Sequence, residues 1–234
     1  MMRQHLGRPV VLAPAQPSRR ASMGGPGWPY SPLSIAARDC IQAPLFGLLG
    51  LLVRTQVSGL EQIDRLNGPA LFVANHISHL DTPVVLRALP AQRRRRIAVA
   101  AARDYFYNSA VVGAMVGVGV GAFPLARGDD IRPLLNQCAR LKEGGWSMLF
   151  FPEGTRSTTG EIGPFKHGVG LIALKLGLPV VPIRTRGLFD VLPKGRRLPR
   201  PGRVTVHVGS PLEFETATPM RRVTASIEAA LRAL

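Results

Sequence analysis

Asn75-His76-Ile77-Ser78-His79-Leu80-Asp81 and Phe151-Pro152-Glu153-Gly154-Thr155-Arg156-Ser157 hold the residue types in this chain that are suited to chemistry. The first offers an imidazole and, after four intervening residues, a carboxylate. Such a pair removes a proton from a hydroxyl when the acid holds one ring nitrogen and leaves the other as base. The second stretch ends an apolar run in a turn. There Gly154 admits a backbone angle unfavourable to other residues, and Arg156 brings a planar fork matched to phosphate. On the residues alone, alternatives stay open. His79 is a second candidate imidazole, Asp81 also suits a helix start, and the second stretch also reads as a plain strand exit with a solvated arginine.

Five residues along one α-helix turn through about 140°, so His76 and Asp81 do not share a helix face. The pair therefore requires a strand end, a turn and a helix start. The neighbours supply them: apolar Leu71-Phe72-Val73-Ala74, polar residues as far as His79, then a run with Pro83 in its first turn. Ser78 or His79 is expected to cap that helix, with Asp81 folding back to hold the imidazole.

Beyond the two stretches, short apolar runs predict strands over 70–75, 97–101, 122–125, 147–151, 180–185 and 204–208. Helical periods predict helices over 81–88, 108–116, 129–142, 168–176 and 219–234. The alternation implies an α/β fold: a single domain with a largely parallel or mixed sheet covered by helices on both faces. Residues 33–57 are expected to form an N-terminal amphipathic helical segment, with Arg38 and Arg54 bracketing an apolar run suited equally to a membrane interface or to a core-packed helix. That run, 43–53, falls short of the roughly 20 residues that span a bilayer. Residues 1–32 hold six prolines and read as a flexible tail, and 58–234 make up the domain proper.

The 30 Lys and Arg against 14 Asp and Glu give a formal charge of +16, which favours anionic partners. Aromatic content of 6% leaves no stacking platform for single-stranded nucleic acid, so no nucleic acid is expected. Cys40 and Cys138 have neither zinc-site nor redox spacing, and they suit a reducing, intracellular setting. No metal is expected. Gly145-Trp146-Ser147-Met148-Leu149 lacks the last glycine of a nucleophile elbow, and the glycines between 113 and 121 miss the dinucleotide spacing.

The NHISHLD block followed by FPEGTRS resembles the glycerolipid acyltransferases related to lysophosphatidic acid acyltransferase. Further blocks follow in that family's order: Phe123-Pro124-Leu125-Ala126-Arg127, Phe165-Lys166-His167-Gly168 and Val181-Pro182-Ile183. The resemblance covers roughly residues 57–212. It implies an enzyme that moves a fatty acyl group from acyl-CoA or acyl carrier protein, as co-substrate, to the free hydroxyl of lysophosphatidic acid or a related lysophospholipid. His76 is implied as general base and Asp81 as the group that orients it. Arg127, Arg156 and Lys166 are implied phosphate contacts. Glu153 is implied to position the glycerol part, within a substrate-binding turn that includes Gly154 and Thr155. No cofactor is implied, and the thioester is attacked directly. A membrane surface is an implied partner, and the location is intracellular and peripheral. The sequence departs from the family pattern at Ala126, where an acidic or polar residue is usual, and at His167 after the lysine. Two other readings are a non-catalytic peripheral lipid-binding protein and a hydrolase that uses the same pair on water.

Overall fold

Leu71–Ala74 (β2) is apolar and buried at each of its four positions, as suits a strand covered on both faces. A computed structural model describes residues 30–102, 117–125 and 130–234 and places β2 near the middle of a seven-stranded sheet. The sheet order is β1 (Val53–Ser58), β7 (Gly202–Val208), β6 (Val180–Arg186), β2, β5 (Ser147–Phe150), β3 (Ile97–Ala102) and β4 (Ala122–Leu125). From β6 to β4 all neighbours are parallel. β7 runs antiparallel to β6, and β1 is parallel to β7, so the sheet is mixed.

Between the strands lie α1 (Pro32–Leu52), α2 (Glu61–Asp64), α3 (Asp81–Ala88), α4 (Ala91–Arg94), α5 (Arg132–Glu143), α6 (Gly168–Leu176), α7 (Leu188–Val191) and α8 (Met220–Ala233). Alternate residues of the strands feed two cores. Phe72 and Ala74 of β2 join Val84, Val85 and Leu86 of α3 on one side of the sheet, and Leu71 and Val73 join residues of α5, α6 and α8 on the other. In α8, Val223, Ile227 and Leu231 are fully buried at a spacing of four, one stripe of the helix. α6 stops at Gly177, whose left-handed conformation ends a helix without a Cβ penalty.

Apart from the helix over 108–116, the expected elements are found in order, with corrections at the N-terminal side. Residues 53–57 were expected in the helical segment but belong to β1, so the sheet begins at Val53, not at 58. The reason lies in VRTQVS itself: its alternation turns Val53 inward and Arg54, Gln56 and Ser58 outward, which a strand accommodates and a helix does not. The tail expected over 1–32 is also too long. Tyr30 packs on Trp146 with ring centroids 4.6 Å apart, and the Ser31 hydroxyl caps α1 by accepting from the Ser34 amide. The rest of the tail, and the helix expected over 108–116, lie outside the described residues.

α1 inverts the usual amphipathic arrangement. Its buried residues are Ser34, Arg38, Gln42 and Leu49, whereas Leu33, Ile41, Leu48 and Leu51 are exposed, Leu51 by 85%. Arg38 Nε donates to the Val118 carbonyl at 2.9 Å and Gln42 Nε2 to the Gly119 carbonyl at 2.9 Å, which satisfies polar groups that burial would otherwise penalise. With 21 residues, α1 is also long and apolar enough to cross a membrane by length and composition, although its apolar run alone is not.

Candidate active site

β2 ends at Ala74 and the chain turns at once. Asn75, buried, continues the ladder with its side chain: Nδ2 donates to the Thr185 carbonyl (2.9 Å) and Oδ1 accepts from the Thr185 amide (2.7 Å). This clamp fixes where His76 leaves the sheet. α3 then starts at Asp81, which is wholly buried. Its Oδ2 accepts from the amides of Ile77 (2.7 Å) and Ser78 (2.8 Å) and lies 2.8 Å from His76 Nδ1. The carboxylate thus closes the turn and holds the ring together. With Nδ1–H donated to Asp81, Nε2 is the nitrogen left to accept a proton.

One expectation is corrected here. Neither Ser78 nor His79 caps α3: its N-cap is Leu80, with no side-chain hydrogen bond. The Ser78 hydroxyl instead donates to the Leu192 carbonyl (2.7 Å) and accepts from the Leu80 amide (3.1 Å). Asp81 already occupies the turn amides, so the hydroxyl is left to tie the block to the chain after β6. The rival imidazole, His79, does not take the place beside Asp81 Oδ2. Burial and the nearby charge of Arg156 lower its pKa.

The turn after β5 is fastened directly to His76. Glu153 Oε1 accepts from the His76 amide at 2.7 Å, and the Ser157 amide donates to the His76 carbonyl at 2.8 Å. The Phe151 ring stacks on the imidazole, centroids 4.4 Å apart. Residues 77 apart in sequence therefore share one backbone framework. Glu153 Oε2 accepts from the Gly163 amide (2.9 Å), so the carboxylate clamps both His76 and the far side of the turn. Burial raises its pKa although two amides oppose that shift.

Replacing Glu153 with Gln puts an NH2 group against one of these amide donors. The expected result is a loss of about 1.5–3 kcal/mol in unfolding free energy, the range for a hydrogen bond to a charged group. A fall in kcat should accompany it as His76 shifts. Denaturant unfolding and steady-state kinetics on the same preparation check both.

Gly154 has φ +71°, and a Cβ there would stand 2.6 Å from Lys166 Nζ, so the glycine lets the lysine lie across the turn. Beside it is a cavity of about 530 Å³ lined by Glu153, Thr155, Arg156, Lys166 and Lys194, among others. Three of these are cations, which suits an anionic headgroup. Arg127 lies outside the described residues. Sequence reasoning missed Lys194, Asn75 and Thr185 as parts of the site. The strand over 180–185 was expected, but nothing in it marked Thr185 as partner to Asn75, and nothing in the Pro193-Lys194-Gly195 turn marked it as neighbour to Arg156. Cys138 is buried, its thiol pushed up to about 12 by desolvation, as suits an inert core residue. Among the described residues no group of three His, Cys, Asp or Glu side chains is placed to hold a metal ion.

Known acyltransferases resemble this chain in sequence and fold. The chloroplastic 1-acyl-sn-glycerol-3-phosphate acyltransferase BAT2 of Brassica napus is 36% identical over 61% of this chain and 40% of its own length. The chloroplastic 1-acyl-sn-glycerol-3-phosphate acyltransferase LPAT1 of Arabidopsis thaliana is 33% identical over 70% of this chain and 45% of its own. The chain thus spans less than half the length of these relatives. Among solved structures, the 1-acyl-sn-glycerophosphate acyltransferase PlsC of Thermotoga maritima shares the fold, with a TM-score of 0.67 and 23% identity over 85% of this chain and 77% of that one. The family model described as Acyltransferase matches residues 54–186, from the first strand through β6. That span takes in the His76–Asp81 pair, the turn that clips to it and more than half of the chain, and by it this protein belongs to the Acyltransferase family.

Proposed function

We propose that the protein transfers a fatty acyl group from a thioester, acyl-CoA or acyl carrier protein, to the free hydroxyl of lysophosphatidic acid or a related lysophospholipid. The observation that carries this reading is the union of His76–Asp81 with the cationic cavity through two main-chain hydrogen bonds of His76. An alcohol is a poor nucleophile at neutral pH, and His76 Nε2 takes its proton as oxygen attacks the thioester carbonyl. The thiolate leaves with the acyl bond broken and regains a proton from the imidazolium. Arg156 and Lys166 hold the acceptor phosphate, and such positioning lowers the entropic part of the barrier. The relatives, 1-acyl-sn-glycerol-3-phosphate acyltransferases by name, support the acceptor class.

A membrane surface is the proposed setting, with the protein intracellular and peripheral to it. α1 supports this: Leu33, Ile41, Leu48 and Leu51 face out along one side, an arrangement that lies in the interface with its apolar face among acyl chains.

The test is transfer by the purified full chain, with both donor types offered against a panel of lysophospholipids and a monoacylglycerol that lacks phosphate. Transfer to the phosphorylated acceptors supports the reading. Arg156→Ala is expected to raise KM for them roughly ten- to hundredfold, since a charged hydrogen bond of about 1.5–3 kcal/mol is lost. The KM for monoacylglycerol should hardly move. Binding of anionic lipid without transfer would favour a non-catalytic lipid-binding protein, and release of free fatty acid alone would favour a hydrolase.

A further inference from the structure

The helices over one face of the sheet stop at β6, where the Arg232 carbonyl near the end of α8 accepts from Arg184 Nη1. Beyond that point, among the described residues, no helix covers the outward side chains of β7 and β1: Arg54, Gln56, Ser58 and Arg203 are exposed, and Thr205 and His207 are half-buried. Arg54 and Arg203 are partners in the parallel register, both exposed, with Gln56 and Thr205 as the next outward pair. On β6, Arg186 stands opposite Thr205 and Arg184 opposite His207. None of the 20 residues in β1, β6 and β7 is Asp or Glu. Like charges directly opposite in a ladder destabilise a sheet, and among the described residues no ion pair involves Arg54, Arg186 or Arg203.

Two further observations point to a ligand here. Arg54, Gln56 and Arg203 line a concavity of about 340 Å³. In the next outward pair, beside Gln56, the Thr205 hydroxyl is buried and makes no hydrogen bond among the described residues, a donor open to an acceptor that a ligand supplies. Alternation places the arginines on the α8 face, opposite to Val53 and Val204, which join α3 in the other core, and the strand directions settle at which end of the sheet they lie. β7 runs against β6 and β1 follows β7, so Arg203 and Arg54 begin their strands at the end of the sheet where β2 and β6 finish and His76 stands. The separation across the sheet is two to three strand spacings, about 10–14 Å.

We propose that this patch binds the phosphates of the nucleotide end of a coenzyme A thioester and delivers its acyl arm past the end of β6 to His76. The proposal rests on the acyl-transfer reading above and adds the donor and its site. Size decides against an acidic carrier protein. Three strands about 4.8 Å apart with outward residues about 7 Å apart expose an area on the order of 200 Å². A protein partner takes about 800 Å². Paired guanidinium forks with an amide and a hydroxyl in the next pair along the strands match phosphate oxygens.

The test uses the full chain and the double variant Arg54→Gln/Arg203→Gln, whose side chains are exposed and whose folding is checked by its unfolding midpoint. Adenosine 3′,5′-bisphosphate, the phosphorylated end of the donor without its arm, is titrated into both by calorimetry. Binding to the native chain that weakens roughly ten- to hundredfold in the variant is expected, from the loss of charged hydrogen bonds. In kinetics, KM for acyl-CoA should rise by a similar factor, while an acyl-pantetheine thioester lacking the nucleotide keeps its native constants. No binding to the native chain, an unchanged KM for acyl-CoA, or an effect confined to an acyl carrier protein donor would each overturn the proposal. Absence of transfer from every donor would overturn the acyl-transfer reading instead, and the calorimetric titration would still read the patch.

Discussion

Replacing His76 with alanine is expected to lower kcat for acyl transfer by about 10²- to 10⁴-fold, the contribution typical of a positioned general base. The fold should survive. The bonds that clip this residue to the turn after β5 use its backbone amide and carbonyl, which alanine retains, and its side chain is 23% exposed. What is lost structurally is the stacking on Phe151 and the bond to Asp81, so a modest drop in unfolding midpoint is expected beside a large kinetic one. Steady-state transfer and denaturant unfolding separate the two, and a folded variant with native kcat would remove His76 from the chemistry.

The second large effect belongs to Asp81→Asn. The side chain is fully buried and one of its oxygens meets three N–H groups. Asparagine is nearly isosteric and its carbonyl oxygen can stand in the same place, but the negative charge that favours the imidazolium as it forms is gone. A fall in kcat of about 10³- to 10⁴-fold is expected, the size found when an orienting carboxylate is neutralised beside a catalytic imidazole. Asp81 acts on substrate only through His76. The double variant His76→Ala/Asp81→Asn should therefore be hardly slower than His76→Ala alone, whereas independent contributions would multiply. A multiplicative loss in the cycle would show that Asp81 has another role. Stability should fall by about 1.5–3 kcal/mol as charged hydrogen bonds become neutral ones.

Much of this arrangement was legible in the sequence. The strand positions were readable because buried parallel strands are continuous apolar runs bounded by polar turns, as in Leu71–Ala74 and Ser147–Phe150. The His76–Asp81 spacing excluded a single helix and so required the turn that is found. The link between the two motifs was not legible. It runs through the backbone of His76 and the side chain of Glu153, and main-chain partners leave no trace in residue types. Nor was β1 readable, because VRTQVS follows an apolar helix without a break and its ladder partner is 149 residues away. The inverted face of α1 escaped for a similar reason. Arg38 and Gln42 look like solvent residues until the carbonyls of Val118 and Gly119 are known to be beneath them.

The clip between the turn after β5 and His76 constrains any attempt to redesign the protein. Residues 152–157 line the cavity proposed for the headgroup with their side chains and hold the imidazole by their backbone and by Glu153, so the two properties are mechanically geared. An insertion or deletion there, the ordinary route by which loops diversify, would move the base together with the pocket. New acceptor preferences are accessible only by exchanging side chains such as Arg156, Lys166 and Lys194 on an unchanged loop. Nor can the histidine block be transplanted by itself: without its distant partner it is a turn with no fixed direction.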